Sequence, residues 1–376
     1  MKTTQSKRHW SWPLVAAGTG LMLAGTASAQ SSVTLFGIVD AGITYTNNQQ
    51  GHSAWQATGG NESGPRWGLL GTEDLGGGLK ANFRLENGFN VMNGAAMQGG
   101  RMFGRQAWVG MSGDTLGALT LGRQYNTVQD ILGAIQISNT LVQYSTHPFD
   151  NDDINNTFRT NNAVKYVSPI FAGLQANVMY GFSNSTGFAA NNSWSAGLSY
   201  THGPLNLGAA YARMNQPASS AVGAVASDNY YAPAAAVFGT RLVDATRQQI
   251  WGGGGTYTFG PATLGLLYTG SNFNMASGGA LRFGNYEGSM RYALSPALIA
   301  AVGYTYTETS QGDTNGHYHQ VSGGLQYLLS KRTDVYVNGL YQKASSGIGH
   351  AWIDGIAGPS STTSQVAVVA GLRQKF

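Results

Sequence analysis

The feature that most constrains this chain is an alternation of apolar and polar residues, repeated in about sixteen stretches along its length. In the last stretch, Val366, Val368, Ala370, Leu372 and Phe376 share one phase, and Arg373 and Lys375 the other. Successive side chains of a strand point to opposite faces, so a period of two means a sheet with one apolar and one polar surface. The same pattern runs through Val33, Leu35, Val39, Ala41, Ile43 and Tyr45, through Leu79, Ala81, Phe83 and Leu85, and through Leu298, Ala300, Val302, Tyr304 and Tyr306. Connections alternate in length. Short turns such as 73–77, Ser168-Pro169, Gly260-Pro261 and Ser295-Pro296 separate long polar segments near 46–64, 126–161, 213–245, 271–283 and 345–362. An up-and-down sheet with a polar inside, an apolar outside and this alternation of short turns and long loops is what a transmembrane β-barrel requires. About sixteen antiparallel strands would enclose an aqueous channel.

The N-terminus supplies the address. Lys2, Lys7 and Arg8 precede a short apolar core over 13–25, and Ala27-Ser28-Ala29 offers a small-x-small cleavage site. This is the layout of a secretory signal peptide, with an apolar core too short to span a bilayer. Residues 1–29 are therefore expected to be a leader and 30–376 a single barrel domain. Three of the 21 Lys and Arg lie in the leader, against 17 Asp and Glu in the chain, so the remaining positive excess is about one. That balance gives no argument for a nucleic-acid partner. The chain has no cysteine, so disulfides and thiolate metal sites are unavailable. After the leader there is no apolar run of about eighteen residues, which excludes helical spans.

Several motifs are recognisable. The segment 31–42 (SSVTLFGIVDAG) closely resembles the first strand of Gram-negative general porins, in the branch typical of beta-proteobacteria. Segments 71–81, 85–90, 103–107, 120–125 and 161–166, together with the terminal GLRQKF of 371–376, are similar to the same family in the same order. The resemblance implies a homotrimer in the outer membrane, passing ions and small hydrophilic solutes, with its third external loop folded inward. That loop would be roughly 126–161. The resemblance also implies an arginine ladder on the wall facing the loop, which by motif position falls on Arg66, Arg105 and Arg159. It casts Phe376 as a terminal signal for the barrel-assembly machinery, and makes lipid and lipopolysaccharide the surrounding partners.

Alternation puts Arg66 and Arg159 on the polar phase; around Arg105 it is ambiguous, and the resemblance alone places that residue in the lumen. Lys80, Arg84 and Lys165 add positive charge on the inner face, with Asp40 and Glu86 as inward acids. Tyr125 begins the inward loop and could line the constriction. Asp130 lies early in that loop, 131–149 holds no acid, and Asp150, Asp152 and Asp153 come late. Fixed charges beside a narrow aqueous path act as selectivity elements, so this distribution favours anions.

Plainer readings stand beside these. Any of these arginines could be a solvated lumen residue that steadies a loop. Arg123 shares the phase of Leu119 and Leu121, so an outward position and a salt bridge at a subunit interface are expected. The 150–153 cluster could hold Ca²⁺, but lacks the full ligand pattern, and a solvated loop is favoured. His317 and His319 share a face without an obvious third ligand. Gly252–Gly255 precedes no helix, so a crowded strand or bulge is expected rather than a phosphate cradle. Trp194, Tyr200, Tyr211, Tyr268, Tyr292 and Tyr304 suit an interfacial girdle. No cofactor or metal is implied. The alternatives to a channel are a barrel enzyme, for which no Gly-x-Ser-x-Gly elbow is present, and an adhesin using loops such as 213–245.

Overall fold

The computed structural model describes residues 31–229 and 244–376; the expected leader lies outside the described residues. Strand β1 (Ser32–Gln49) turns into β2 (His52–Gly59), and β3 (Arg66–Gly76) continues along the same edge of β1. The first half continues with β4 (Leu79–Gly88), β5 (Gln106–Gly113), β6 (Gly117–Gln124), β7 (Thr160–Val167), β8 (Leu174–Gly181) and β9 (Ser193–His202). Then come β10 (Leu205–Asn215), β11 (Ala245–Phe259), β12 (Ala262–Met275) and β13 (Ala280–Ala293). The chain ends with β14 (Leu298–Gln311), β15 (Thr314–Leu328), β16 (Thr333–Ala344) and β17 (Ser364–Lys375). Because β2 and β3 pair with successive halves of β1, they form one stave, and the 17 segments make a 16-strand barrel. Neighbours pair antiparallel, and β17 returns to β1 from Ile38↔Lys375 to Thr46↔Ala367. Closure leaves no open sheet edge, which a hydrocarbon environment demands.

The terminal residue completes the seam. Phe376 N–H donates to Gly37 O at 3.0 Å, and Gly37 N–H to Phe376 O at 2.9 Å. The Phe376 ring lies where a Cβ on Gly37 would stand, 2.2 Å from its Cζ, so only glycine fits there. The outer face carries the apolar phase read from the sequence, with Val33, Leu35, Val109, Leu121, Leu266 and Val302 exposed as lipid contact requires. Aromatic rings run in rows on that face: Trp194 against Tyr211 and Tyr268 against Tyr286 at 5.0 Å, with Tyr306 next at 6.2 Å. His319 belongs to this row, its Nδ1 lying 2.6 Å from Tyr304 Oη. Among the described residues no group of three or more potential metal ligands forms.

The connection between β6 and β7 folds into the barrel. It opens with helix α1 (Thr127–Leu132), whose cap Asn126 accepts the Gln129 N–H at 3.0 Å through its side chain. The helix packs against β9, β10 and β11 because glycines flatten that wall. A Cβ at Gly197 or Gly208 would stand 2.6 Å from Ile131, and one at Gly252 would stand 2.9 Å from Leu132. Gly252–Gly255 is thus a stretch of β11 whose first glycine receives the loop. Val128, Leu132, Ile135, Phe149, Ile154 and Phe158 are buried with Ile250, Phe273 and Phe283 of the wall. At about 1.5–3 kcal/mol per buried large apolar side chain, this core is ample to hold a loop that has no sheet partner.

The described parts of two further connections, read from the sequence as external, also turn inward. Ala224, Val225 and Ala226 of the β10–β11 connection are fully buried, with Asn161 N–H donating to Ala224 O at 2.8 Å. In the β16–β17 connection Ile353 is fully buried, and Trp352 meets Phe149 edge-on at 6.2 Å. The mouth of the barrel is therefore narrowed by three loops.

Candidate pore constriction

The stave formed by β2 and β3 is broken at 60–65, and the break is pinned by Asp40. Its carboxylate accepts the Glu62 and Ser63 N–H groups at 2.7 Å each and the Tyr336 hydroxyl at 2.5 Å. On one side of the break stands an arginine cluster. Arg66 opens β3, Arg84 and Glu86 face inward from β4, and Arg105 immediately precedes β5. Glu86 is the hub: its carboxylate lies 2.6 Å from Arg105 Nε, 2.5 Å from Arg84 Nη2 and 3.7 Å from Arg66 Nη1. Gln106 adds a donor at 3.2 Å. Arg105 also donates to the Tyr125 hydroxyl at 2.8 Å, and Arg159 lies over the Tyr125 ring at 5.4 Å. Burial works against an ionised Tyr125, but Arg105 and Arg159 outweigh it and hold its hydroxyl below the usual phenol range. Arg66, Arg105, Arg159, Arg84 and Tyr125 are thus brought together. Lys80 shares the face of Arg84 but stands four residues earlier in the strand, about 13 Å away by strand rise.

On the other side of the break stands a cluster of inverse composition that the sequence reading did not single out. Arg373 of β17 lies 3.1 Å from both Glu62 and Asp334, and donates to Ser63 Oγ at 2.9 Å, with Asp40 behind. The signal was present in the polar phase of the last strand, but which acids meet Arg373 depends on closure of the barrel. One aromatic was also missed: the Phe36 ring lies under the Arg84 guanidinium at 4.8 Å.

The acids of the inward loop are not free selectivity charges. Asp130 pairs with Lys165 at 2.5 Å and accepts from Asn177 at 3.1 Å, so these two expected constriction charges cancel each other. The 150–153 cluster is buried rather than solvated. Asp150 accepts the Asn155 N–H, the Thr157 N–H and the Thr157 hydroxyl at 2.8–2.9 Å, and burial, with Asp152 nearby, pushes it up to about 6. Asp153 caps the Phe158 N–H and binds the Asn126 amide. Asp152 pairs with His147 at 2.7 Å, and the other face of that imidazole meets Glu287 of β13 at 3.3 Å. Amides complete the attachment: Asn285 bonds Asn151 at 3.1 Å, and Gln320 bonds both Ser145 O and Thr146 O at 3.0 Å.

Arg123 corrects the sequence reading. A bulge at Gly122, whose φ of +134° only glycine adopts readily, shifts the β6–β7 register. Arg123 is buried within its own chain, donating from Nε to Gly104 O at 2.8 Å and from Nη1 to Asn161 Oδ1. It does not stand on the outward row with Leu119 and Leu121.

A closed, up-and-down barrel of sixteen staves with an inward loop beside a charged wall defines a transmembrane diffusion channel. The chain belongs to the Gram-negative porin family, whose model matches residues 14–347. It is 31% identical to an outer membrane porin protein of Bordetella pertussis, over 88% of this chain and 94% of the relative. Identity to outer membrane porin protein 32 of Delftia acidovorans is 32%, covering 95% and 97% of the two chains. Among solved structures, the anion-selective porin from Comamonas acidovorans matches with a TM-score of 0.74 at 26% identity, covering 92% of this chain and 100% of that one. The chain is therefore an outer-membrane, multi-pass β-barrel that conducts small solutes rather than an enzyme.

Proposed function

We propose that this porin prefers anions, and that the preference arises because its arginines face the channel water while its acids lie beneath them. In the arginine cluster the side chains of Arg84 and Arg66 are 31% and 20% exposed, and that of Glu86 is 0% exposed. In the second cluster Arg373 is 12% exposed, and Glu62 and Asp334 are 3%. An anion about 5 Å from one such charge in wet surroundings gains about 0.8 kcal/mol, roughly a fourfold local enrichment, and several charges compound it. The similarity to a porin titled anion-selective supports the same reading. Arg66 and Arg84 form the water-facing part of the selective wall in this account, and Arg105 and Arg159, both buried, are its backing together with Tyr125, whereas Lys165 and Asp130 anchor the inward loop and Lys80 lies outside the wall.

The reading also includes export directed by residues 1–29, which leaves 30–376 as the barrel. Phe376 acts as the assembly signal at the seam, and three copies associate in a bilayer of lipid and lipopolysaccharide. The reversal potential of the purified protein in a planar bilayer under a KCl gradient tests the selectivity. Wild type should favour chloride, and Arg66→Ala with Arg84→Ala should lower that preference while conductance persists. A cation-favouring potential in wild type, or an unchanged one in the double variant, overturns the assignment.

A further inference from the structure

The second charged cluster, beside the break at 60–65, sets three carboxylates around one guanidinium. Asp40 comes from β1, Glu62 from the break, Asp334 from β16 and Arg373 from β17, and the three acids are buried. Their support is unequal. Asp40 accepts two backbone N–H groups at 2.7 Å each and the Tyr336 hydroxyl at 2.5 Å. Asp334 Oδ2 accepts from both Arg373 Nε at 3.2 Å and Nη2 at 3.1 Å. Glu62 Oε2 meets that same Nη2 at 3.1 Å, and its other donors are neutral amides, Gln326 at 3.3 Å among them. One guanidinium nitrogen thus serves two carboxylates, and Glu62 is the acid with neither paired backbone donors nor a guanidinium pair of its own. Like charges crowded around one cation favour a proton on the least supported of them. Burial, which Arg373 offsets in part and Asp334 and Asp40 reinforce, pushes the Glu62 carboxyl up to about 7. The other titratable side chains at the cluster are two phenols: Tyr336 donates to Asp40, and Tyr144 of the inward loop donates to Asn61.

We infer that Glu62 is a proton-controlled selectivity residue of this channel: anion preference is higher while its carboxyl holds a proton and lower once the proton has left. With Glu62 protonated, Arg373 stands against Asp40 and Asp334; with Glu62 ionised it stands against all three acids, and the lumen wall gains one negative charge. The position suits that role. Glu62 precedes Arg66, the first residue of the arginine wall, by four positions in the chain. Its neighbour Asn61 accepts the Gln143 N–H of the inward loop at 2.6 Å and, through its side chain, the Tyr144 hydroxyl at 2.9 Å. The charge therefore changes where wall, break and inward loop meet, and Arg373, 12% exposed, joins the cluster to channel water. The inference rests on the channel reading above and deepens it: the arginines keep their charge throughout and set the direction of selectivity, while Glu62 adjusts its size. One unit charge about 10 Å from an ion in wet surroundings changes that ion's local concentration about twofold. Chloride and potassium respond in opposite senses, so their permeability ratio should change about fourfold across the titration.

The test is the reversal potential of the full-length protein in a planar bilayer under a KCl gradient near about 0.1 M, where charges a Debye length apart still interact. The pH is stepped through a window of about 1.5 units on either side of the Glu62 value of about 7. In wild type the chloride-to-potassium permeability ratio should fall about fourfold as pH rises through that window. Glu62→Gln, which has the shape of the protonated acid, should hold the low-pH ratio of wild type at every pH. Histidines titrating in the same window contribute to both proteins, so the difference between the two isolates Glu62. Asp334→Asn leaves Arg373 to Glu62 and should move the step down by about one pH unit or more. A wild-type ratio that does not change with pH, a step of equal size in Glu62→Gln, or a step that Asp334→Asn leaves in place overturns the inference. Chloride preference with any of those results keeps the arginine wall and loses only the titrating residue. A cation-favouring channel whose ratio still steps with Glu62 keeps the titrating residue and overturns the anion reading.

Discussion

The inner surface of this barrel has two walls that treat charge in opposite ways. The wall from β3 to β5 presents Arg66 and Arg84 to channel water around a hidden carboxylate, Glu86, with Arg105 buried beside it. The wall from β8 to β15 is covered by the inward loop, and there the contacts are glycine against isoleucine, amide against amide, and one histidine between two acids. The difference follows from water. Arg66 and Arg84 at the lumen surface keep part of their hydration, so leaving positive charge in net excess there costs less than it would in the interior. Beneath the loop an unbalanced charge would lose that hydration, and buried charges must be paired. Selectivity therefore belongs to the open wall and geometry to the covered one.

The largest effect is expected from breaking the covered wall. His147→Ala leaves Asp152 and Glu287 without their shared cation, and removing one member of a buried ionic cluster costs about 3–5 kcal/mol. Amide exchange over 137–152 should accelerate and the open channel should become noisier; unchanged exchange would show that the loop is held by its apolar core alone. The pH dependence sharpens this. Burial opposes the charged imidazole, but Asp152 and Glu287 outweigh it and raise His147 from 6.5 to about 10. A group raised on folding contributes fully below its unfolded value and loses its contribution as pH climbs through the folded one. Exchange over 137–152, corrected for its intrinsic pH dependence, should therefore be flat below about pH 6.5, rise between there and about 10, and level off above. That rise should be missing in His147→Ala.

A smaller effect is expected on the open wall. Glu86→Gln removes the hub of three arginines at a cost of about 2–3 kcal/mol and leaves their charge uncompensated, so anion preference should increase while thermal stability falls. A reversal potential that stays put would mean that channel water screens the change. The smallest is the pair variant Asp130→Asn with Lys165→Met, which deletes two charges already cancelling at 2.5 Å and should leave the reversal potential within error of wild type.

Much of the barrel was legible because alternation is a local property. The outward phase of Leu79, Phe83, Leu298 and Val302, the inward phase of Arg66, Arg84 and Arg159, and the length of 126–161 can all be read from neighbours in the chain. What could not be read depends on neighbours distant in sequence. Arg123 left its expected phase because one bulge at Gly122 shifts the register, and nothing local announces a bulge. Asp130 and Lys165, 35 residues apart, read as two separate charges until the helix placed one against the other. The 150–153 aspartates read as solvated because their partners include Thr269 and, through His147, Glu287.

By itself the sequence determined the barrel, its membrane-facing surface and which strands bring arginine to the lumen, because the period of two assigns each side chain a face without reference to any other strand. Tertiary structure alone decided which charges survive as net charge. Whether Glu86, Asp130 or Asp152 meets a cation is settled by barrel closure and by loops folding into one mouth, and electrostatics at a constriction depends on those distances rather than on the list of residues.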